Sequence, residues 1–419
     1  MVRSRSQPMG ARRLLLGNPR FLVVWVVGGL TGIVRWLQLL VLGLYTFQIT
    51  ESPLLVSLVP MLWMLPLALC GPFVGVVADR VSRKALLVGS LVLALAVSAV
   101  MAIASSAATL GFPWIAAASV VSGIFWATDM PVRRRLLGDL SDGDLAAAMS
   151  LDSATSNATR MAGPVLGGVV LQTFSLSGAF LLSAAVFAVC LVAIALTPVP
   201  GTARPARSTH FVRELISGIR FVAGDARLRW VFGITIVFNV FGFPFTSMIP
   251  VIGSGQLGLD PAMVGLLGST EGVGAFIGAI IVAVAVRPRA FAPLYVWGTT
   301  AYLAFVGCLG AVSLLVAGPV LSFLAAAGVL FAVGLAGACF SAMQSTLSYL
   351  NALPEYRSRV LGVLTLCIGT GPIGFLHVGW LAETFGASVA LIVTASEGLL
   401  ALLVLRLAGP KYDADGSPA

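Results

Sequence analysis

The chain is a succession of long apolar runs separated by short polar turns. Twelve runs can be marked, at residues 21–48, 54–78, 85–109, 113–137, 145–171, 178–196, 228–252, 262–286, 292–315, 319–347, 360–381 and 388–407. Each is close to or above the roughly 20 residues that a helix needs to cross a bilayer. They predict twelve transmembrane helices. The centre breaks the pattern. Residues 197–208 hold Pro198, Pro200, Pro205, Arg204 and Arg207 and read as a linker. In 210–225, Val212, Leu215, Ile216, Ile219 and Val222 recur at helical spacing, with Arg213, Glu214 and Arg220 between them. That is the pattern of an amphipathic helix lying on a membrane face.

Composition points the same way. The chain has 419 residues, 58% hydrophobic and 10% charged, with mean hydropathy +1.02. Soluble domains carry about 25% charged residues, so the bulk of this chain belongs in lipid. Cys70, Cys190, Cys308, Cys339 and Cys367 all fall inside apolar runs and read as small core residues, without the spacing of a metal site or disulfide framework. No phosphate-binding loop, metal cluster or nucleophile–base pair is recognisable. The expectation is a protein that is not an enzyme and uses no cofactor or metal; pumping driven by nucleotide hydrolysis would need a partner chain.

A net charge of +9 could suggest nucleic acid, but its distribution argues otherwise. Of 25 Lys and Arg, only Arg35 and Arg160 lie deep within apolar runs, away from their ends. The rest fall at the N-terminus, in every second connection and at the C-terminal end. The alternate connections, near Glu51, Gly111, Leu176, Asp260, Gly318 and Glu383, carry none. This is the positive-inside pattern, which puts both termini in the cytoplasm and requires an even number of spans. The basic start reads as a cytoplasmic tail rather than a signal peptide. The expected organisation is a tail at 1–20, a helical bundle at 21–197, a cytoplasmic linker at 198–227, a second bundle at 228–407 and a tail at 408–419.

The halves repeat weakly, at an offset of about 207 residues. Ser52-Pro53 opens the second helix and Asp260-Pro261 the eighth, both as N-cap plus N1 proline. Gly163-Pro164 lies in the fifth helix and Gly371-Pro372 in the eleventh. The turn at Asp79-Arg80 corresponds to Val286-Arg287, which keeps the base and loses the acid. Two six-helix bundles related in this way are the parallel repeat of a secondary transporter.

The charged turn Gly75-Val-Val-Ala-Asp79-Arg80-Val-Ser-Arg83-Lys84 resembles the signature loop of the major facilitator superfamily, with Ser82 where that family usually has Gly. Asn157–Gly168, with Arg160, Gly163, Pro164 and Gly167, resembles the fifth-helix motif of its antiporters. Glu355-Tyr-Arg357-Ser-Arg359-Val360 resembles a segment of the drug/proton antiporter branch that includes macrolide-efflux and enterobactin-export proteins. The resemblance implies an all-α membrane protein of twelve helices in two pseudo-symmetric bundles, set in a bacterial-type plasma membrane. It implies a monomer that exchanges protons for an amphipathic small molecule such as a drug, macrolide or siderophore, without nucleic acid. Metabolite import is the alternative within transport; a membrane scaffold or sensor is the alternative outside it. The resemblance also implies that Asp139, ending the fourth helix, faces Arg83. Gly75, Asp79, Arg80, Arg83, Lys84 and Asp139, with Gly163, Pro164 and Gly167 of the fifth helix, then form a conformational gate; the plainer role of the charged turn is anchoring at the basic face.

Ionisable groups inside the apolar runs are the remaining candidates, because a charge there costs about 2.5–3.5 kcal/mol even on insertion scales. Glu271 is eleven residues past the Asp260 cap, so about 16 Å deep. It suits proton coupling or a structural pairing with an arginine or hydroxyl. Asp129 is ten residues before Asp139, about 15 Å from that end, with Trp126 on the same face and Arg133 four residues on. It suits proton coupling or simple neutralisation by Arg133. Arg35, about 21 Å into the first helix with Gln38 one turn further, can hold an anionic substrate or an acid such as Asp129. Arg160 suits gating or coupling. Asn239 and Gln344 are candidate polar groups of the cavity. Glu397 and His377 read more readily as structural.

Overall fold

A bilayer offers no hydrogen bonds to bare peptide groups, so a spanning backbone must satisfy itself. The computed structural model describes residues 15–80, 82–106, 110–141, 144–198, 211–316 and 318–408, without the side chains of 70–80, 211, 212, 319 and 408. Among the described residues every regular element is helical. The N-terminal tail up to residue 14, the centre of the linker at 199–210, the C-terminal tail from 409, and the surroundings of Gly75, Asp79 and Arg80 lie outside them.

The helices are Pro19–Thr50 (α1), Pro53–Arg80 (α2), Arg83–Ser106 (α3) and Phe112–Asp139 (α4). Leu145–Leu196 runs on as one helix except at Ser175, where φ 63° and ψ −176° turn the chain. Its legs, 145–174 and 176–196, are α5 and α6. Then follow Phe211–Gly224 (α7), Ala226–Gln256 (α8), Pro261–Ala285 (α9), Phe291–Leu315 (α10), Pro319–Leu350 (α11), Arg357–Phe385 (α12) and Ala387–Ala408 (α13). Ten described stretches are long and apolar enough to span a membrane, with Leu145–Leu196 counted once and only Pro53–Leu69 of α2 assessed. Splitting the first at Ser175 and adding α2 makes the twelve crossings that the hydropathy predicts. The expected connection between the fifth and sixth helices is therefore a single strained residue and not a loop.

Helix starts follow local chemistry. Asn18 Oδ1 accepts from Arg20 N and Phe21 N, with Pro19 at the first helical position. Asp260 Oδ1 accepts from Met263 N at 2.8 Å, ahead of Pro261. Ser52 Oγ accepts from Leu55 N at 3.2 Å, ahead of Pro53. These are the caps that the repeated Ser-Pro and Asp-Pro pairs predict.

Two helices are irregular where the hydropathy suggests plain spans. In α8, Phe238–Gly242 is π-helical and Phe243–Ser247 is 3₁₀, around Pro244. Pro244 has no N–H to give the Val240 carbonyl, and Gly374 of α12 packs against that carbonyl. In α12, Arg357–Ile368 and Gly371–Phe385 are offset at Gly369–Thr370, just before Pro372.

One face of the bundle carries Arg83, Lys84, Arg133–Arg135, α7 and the ends of α1 and α13; it is called the basic face below. The other carries the turns at Glu51, Ser175, Leu257–Asp260 and Gly386. The first six helices meet the last six mainly through α5 against α9 and α2 against α12. The helix α7 stacks Phe221 on Tyr356 at 4.4 Å and accepts at Ser217 Oγ from Arg359 Nη1 at 3.3 Å. Its Ile216 and Ile219 stay exposed, as an interfacial helix requires. So do many Leu, Val and Ile around the bundle, including Val284, Leu315 and Leu196, which suits lipid.

The closest approach of α5 and α9 depends on Gly168 and Gly265. A methyl on Gly168 would collide with the Pro261 carbonyl and stand 3.0 Å from Gly265 Cα; one on Gly265 would stand 2.5 Å from the Pro164 carbonyl. Both obstacles are backbone, so the helices would have to part. Gly168→Val is expected to cost about 1–3 kcal/mol of overpacking, read as a lower unfolding temperature of the purified protein in detergent. An unchanged temperature would contradict the contact.

Candidate functional site

Glu271 lies at mid-depth on α9, the helix that Gly265 brings against α5. Its Oε1 stands 2.7 Å from Arg160 Nη2, with side-chain exposures of 5% and 23%. The contact is an ion pair by distance, without an N–H well aligned on the oxygen. Arg160 Cζ also lies 5.3 Å from the Trp36 ring and 5.9 Å from Phe243. One turn away, Ser269 Oγ accepts from Val165 N at 3.1 Å, a second polar tie between α5 and α9. Arg160 and Glu271 form one wall of a largely apolar cavity of about 90 Å³. The remaining lining includes Trp36, Trp63, Met64, Phe243, Pro250 and Phe375, from α1, α2, α8 and α12.

A second cavity, of about 30 Å³, lies within the first half and has charged and hydroxyl side chains in its lining. Arg133 lies flat against Gly28 of α1. Its Nε meets Asp129 Oδ2 at 3.1 Å and its Nη1 meets Asp152 Oδ1 at 2.6 Å. Arg134 Nε meets Asp152 Oδ2 at 2.9 Å. The expected Asp129–Arg133 pair is thus present, but Arg133 is shared, and Asp129 Oδ1 is buried without a partner. Asp152 was not singled out by sequence reasoning. Its position eight residues before Arg160, two turns along one apolar run, was the available signal.

Arg35 opens onto this second cavity with Trp126. Its Cζ lies 5.1, 5.9 and 5.6 Å from the rings of Trp36, Trp63 and Trp126. Trp63 and Trp126 stack at 4.4 Å. Arg35 Nε is buried without a partner, and Arg35 has no hydrogen bond or ion pair among the described residues.

Other candidates sit elsewhere. Gln38 donates to Ser98 Oγ on α3 at 3.2 Å. Asn239 donates to the Thr235 carbonyl, and Gln344 to Thr235 Oγ1, in the core of the second half. None of the three lines either cavity. His377 Nε2 and Glu397 Oε2 pair at 2.7 Å between α12 and α13, on the outside of the bundle. At the basic face Arg83 pairs with Asp139. Lys84 donates instead to the carbonyls of Ala195 and Thr197, at the end of α6. On the opposite face Glu383 Oε2 of α12 accepts from Ser52 Oγ at 2.7 Å and Leu54 N at 3.1 Å, and Gln172 Oε1 accepts from Ala262 N at 3.1 Å. Each tie joins one half to the first turn of a helix in the other, where the helix dipole favours an acceptor. Both escaped the sequence reading.

The profile of the Major Facilitator Superfamily matches residues 24–375. The chain belongs to this superfamily. Among proteins similar to this facilitator is the uncharacterized MFS-type transporter YfiS of Bacillus subtilis (strain 168), 26% identical over 372 residues and 85% of each chain. Another is the staphyloferrin A transporter of Staphylococcus aureus (strain NCTC 8325 / PS 47), 21% identical over 358 residues, covering 84% of this chain and 87% of its own. Among solved structures, the nucleoside transporter NupG superposes with TM-score 0.73 at 13% identity, over 93% of this chain and 99% of its own. A bacterial homologue of the human lysosomal transporter Spinster, in an inward-facing conformation, superposes with TM-score 0.63 at 16% identity, over 93% and 96%. These likenesses establish the major facilitator fold and a multi-pass membrane transporter.

Asp152→Asn leaves Arg133 and Arg134 short of a buried counter-charge. It is expected to destabilise the protein by about 3 kcal/mol, seen as a large drop in the temperature of aggregation in detergent. Asp144→Asn, which keeps a capping oxygen at a half-buried helix start, serves as the mild comparison; equal effects would refute the assignment.

Proposed function

We propose that the protein is a secondary active transporter that exports an amphipathic small molecule in exchange for protons, by alternating access. The Arg160–Glu271 pair carries this reading. It is the ion pair that bridges the two halves at mid-depth, in the wall of the apolar cavity. A proton arriving on Glu271 removes the pair's attraction, frees Arg160 and loosens α5 from α9. Loss of that proton on the other side restores the contact. Asp129 serves as a second proton-binding acid, with one oxygen free of any partner.

The ties at Glu383 and Gln172 favour a state closed on the face away from the basic turns. With the basic face in the cytoplasm of a plasma membrane, as the positive-inside pattern supports, that state opens inward. The Arg83–Asp139 pair, which ties the start of α3 to the end of α4, then works with Asp79, Arg80 and Lys84 as the cytoplasmic gate. The segments 21–197 and 228–407 act as the two rocking bundles, joined by 198–227. The apolar lining supports cargo of the drug, macrolide or siderophore type, and the relative named for staphyloferrin A supports the siderophore class.

Protein reconstituted in liposomes is expected to move substrate against its gradient when a pH gradient is imposed. Glu271→Gln is expected to abolish gradient-driven movement while retaining substrate exchange at equal pH. Accumulation in the direction of the proton flow would establish import instead. A Glu271→Gln protein with full gradient-driven transport would remove the proton role.

A further inference from the structure

Four guanidinium groups and three carboxylates surround the two cavities: Arg35, Arg133, Arg134 and Arg160 against Asp129, Asp152 and Glu271. Arg133 and Arg134 share Asp129 and Asp152, and Arg160 has Glu271. That leaves Arg35 as the surplus cation, held by three indole faces and no acid. Cation–π contact is worth about 2 kcal/mol when desolvated, too little to balance a lone charge placed deep in a membrane protein. Such a charge needs an anion; among the described residues Asp129 is close enough to attract it, but Asp129 is paired with Arg133 and makes no contact with Arg35. Arg35 nevertheless keeps part of its surface open to the second cavity.

The surroundings specify the anion. A guanidinium presents parallel N–H groups that fit a carboxylate with two bonds. One surplus positive charge calls for one negative charge. The unpartnered Asp129 Oδ1, on the same cavity wall, disfavours a second. The neighbouring rings also belong to both compartments: Trp36 and Trp63 line the apolar cavity, while Trp126, stacked on Trp63, lines the second one. A ligand with its carboxylate on Arg35 and an aromatic or aliphatic body past these rings reaches the apolar cavity beside Arg160 and Glu271.

We propose that Arg35 is the recognition site for the carboxylate of a monoanionic amphipathic substrate, with Trp36, Trp63 and Trp126 cradling the adjoining apolar group. The proposal rests on the transport reading above and adds the charge of the cargo. Substrate then neutralises the Arg35 cation while a proton neutralises the Glu271 carboxylate, so the two ligands act on opposite charges in neighbouring cavities.

The test uses the full chain in detergent and three probe pairs: 1-naphthylacetate, 4-phenylbutyrate and decanoate, each against its own amide. Binding is followed by tryptophan fluorescence. At least one acid is expected to bind about tenfold tighter than its amide, as a charge-assisted contact predicts. Arg35→Gln is expected to erase that preference and leave amide affinity unchanged; Arg35→Lys is expected to retain part of it. Glu271→Gln is expected to keep it in full. Absence of an acid preference in all three pairs, or its persistence in Arg35→Gln, overturns the proposal. Should Arg35→Gln not fold, a reduced preference in Arg35→Lys supports the proposal and its full retention overturns it. An Arg35-dependent preference in a protein that shows no proton-driven export would leave the anion site standing and remove the export reading.

Discussion

A charge between the two faces of a bilayer must be paired, and in this protein the pairing decides which helices meet. Arg160 on α5 and Glu271 on α9 belong to different halves of the chain, and each is the nearest opposite charge the other has. The contact needs the two backbones to approach closely, which Gly168 and Gly265 permit. The ion pair and the bare glycine surfaces thus support one another. Attraction across the interface is useful only at short range, and short range is possible only without side chains in the way.

The same constraint organises the first half. Asp129, Arg133, Asp152 and Arg134 form a chain of contacts from α4 to α5, packed over Gly28 of α1. Its members satisfy each other, so this network holds the bundle together and leaves one oxygen of Asp129 over. Arg35 lies next to it and outside it. A paired network and a neighbour without an ion pair in one pocket are the basis on which Arg35 is proposed to meet a ligand.

Ties at the face opposite the basic turns work differently. Glu383 and Gln172 each reach the free N–H groups that open a helix in the other half, or the hydroxyl that caps it. Such bonds are partly wet and individually weak. On the proposed alternating-access reading they can be remade when the bundles rock. The capping residue Ser52 therefore has two roles: its hydroxyl accepts from Leu55 N to start α2 and donates to Glu383 Oε2 of α12.

Hydropathy alone was enough for the twelve crossings, because about 20 apolar residues in a row have few other uses. The helix starts at Ser52 and Asp260 were equally legible as caps with a following proline, since capping is local; the same Asn18-Pro19 pair was passed over and the first helix was expected from residue 21. The Asp129–Arg133 pair was legible for the same reason, being one turn apart. The turn at Ser175, the distorted middle of α8 and the offset in α12 were less so: each depends on how a neighbouring helix meets the backbone. Gln38, Asn239 and Gln344 carried the polarity of cavity residues, yet they bond within the packed helices, and polarity by itself has no direction. What the sequence determined was which residues are charged within the membrane and roughly how deep. Only the tertiary structure decided which of those charges are partners, because pairing across a hundred residues depends on helix rotation and closeness that no local pattern encodes. That is why Arg35 could be marked as unusual from the chain alone, while its want of a partner emerged only once Arg133, Arg134 and Arg160 had found theirs.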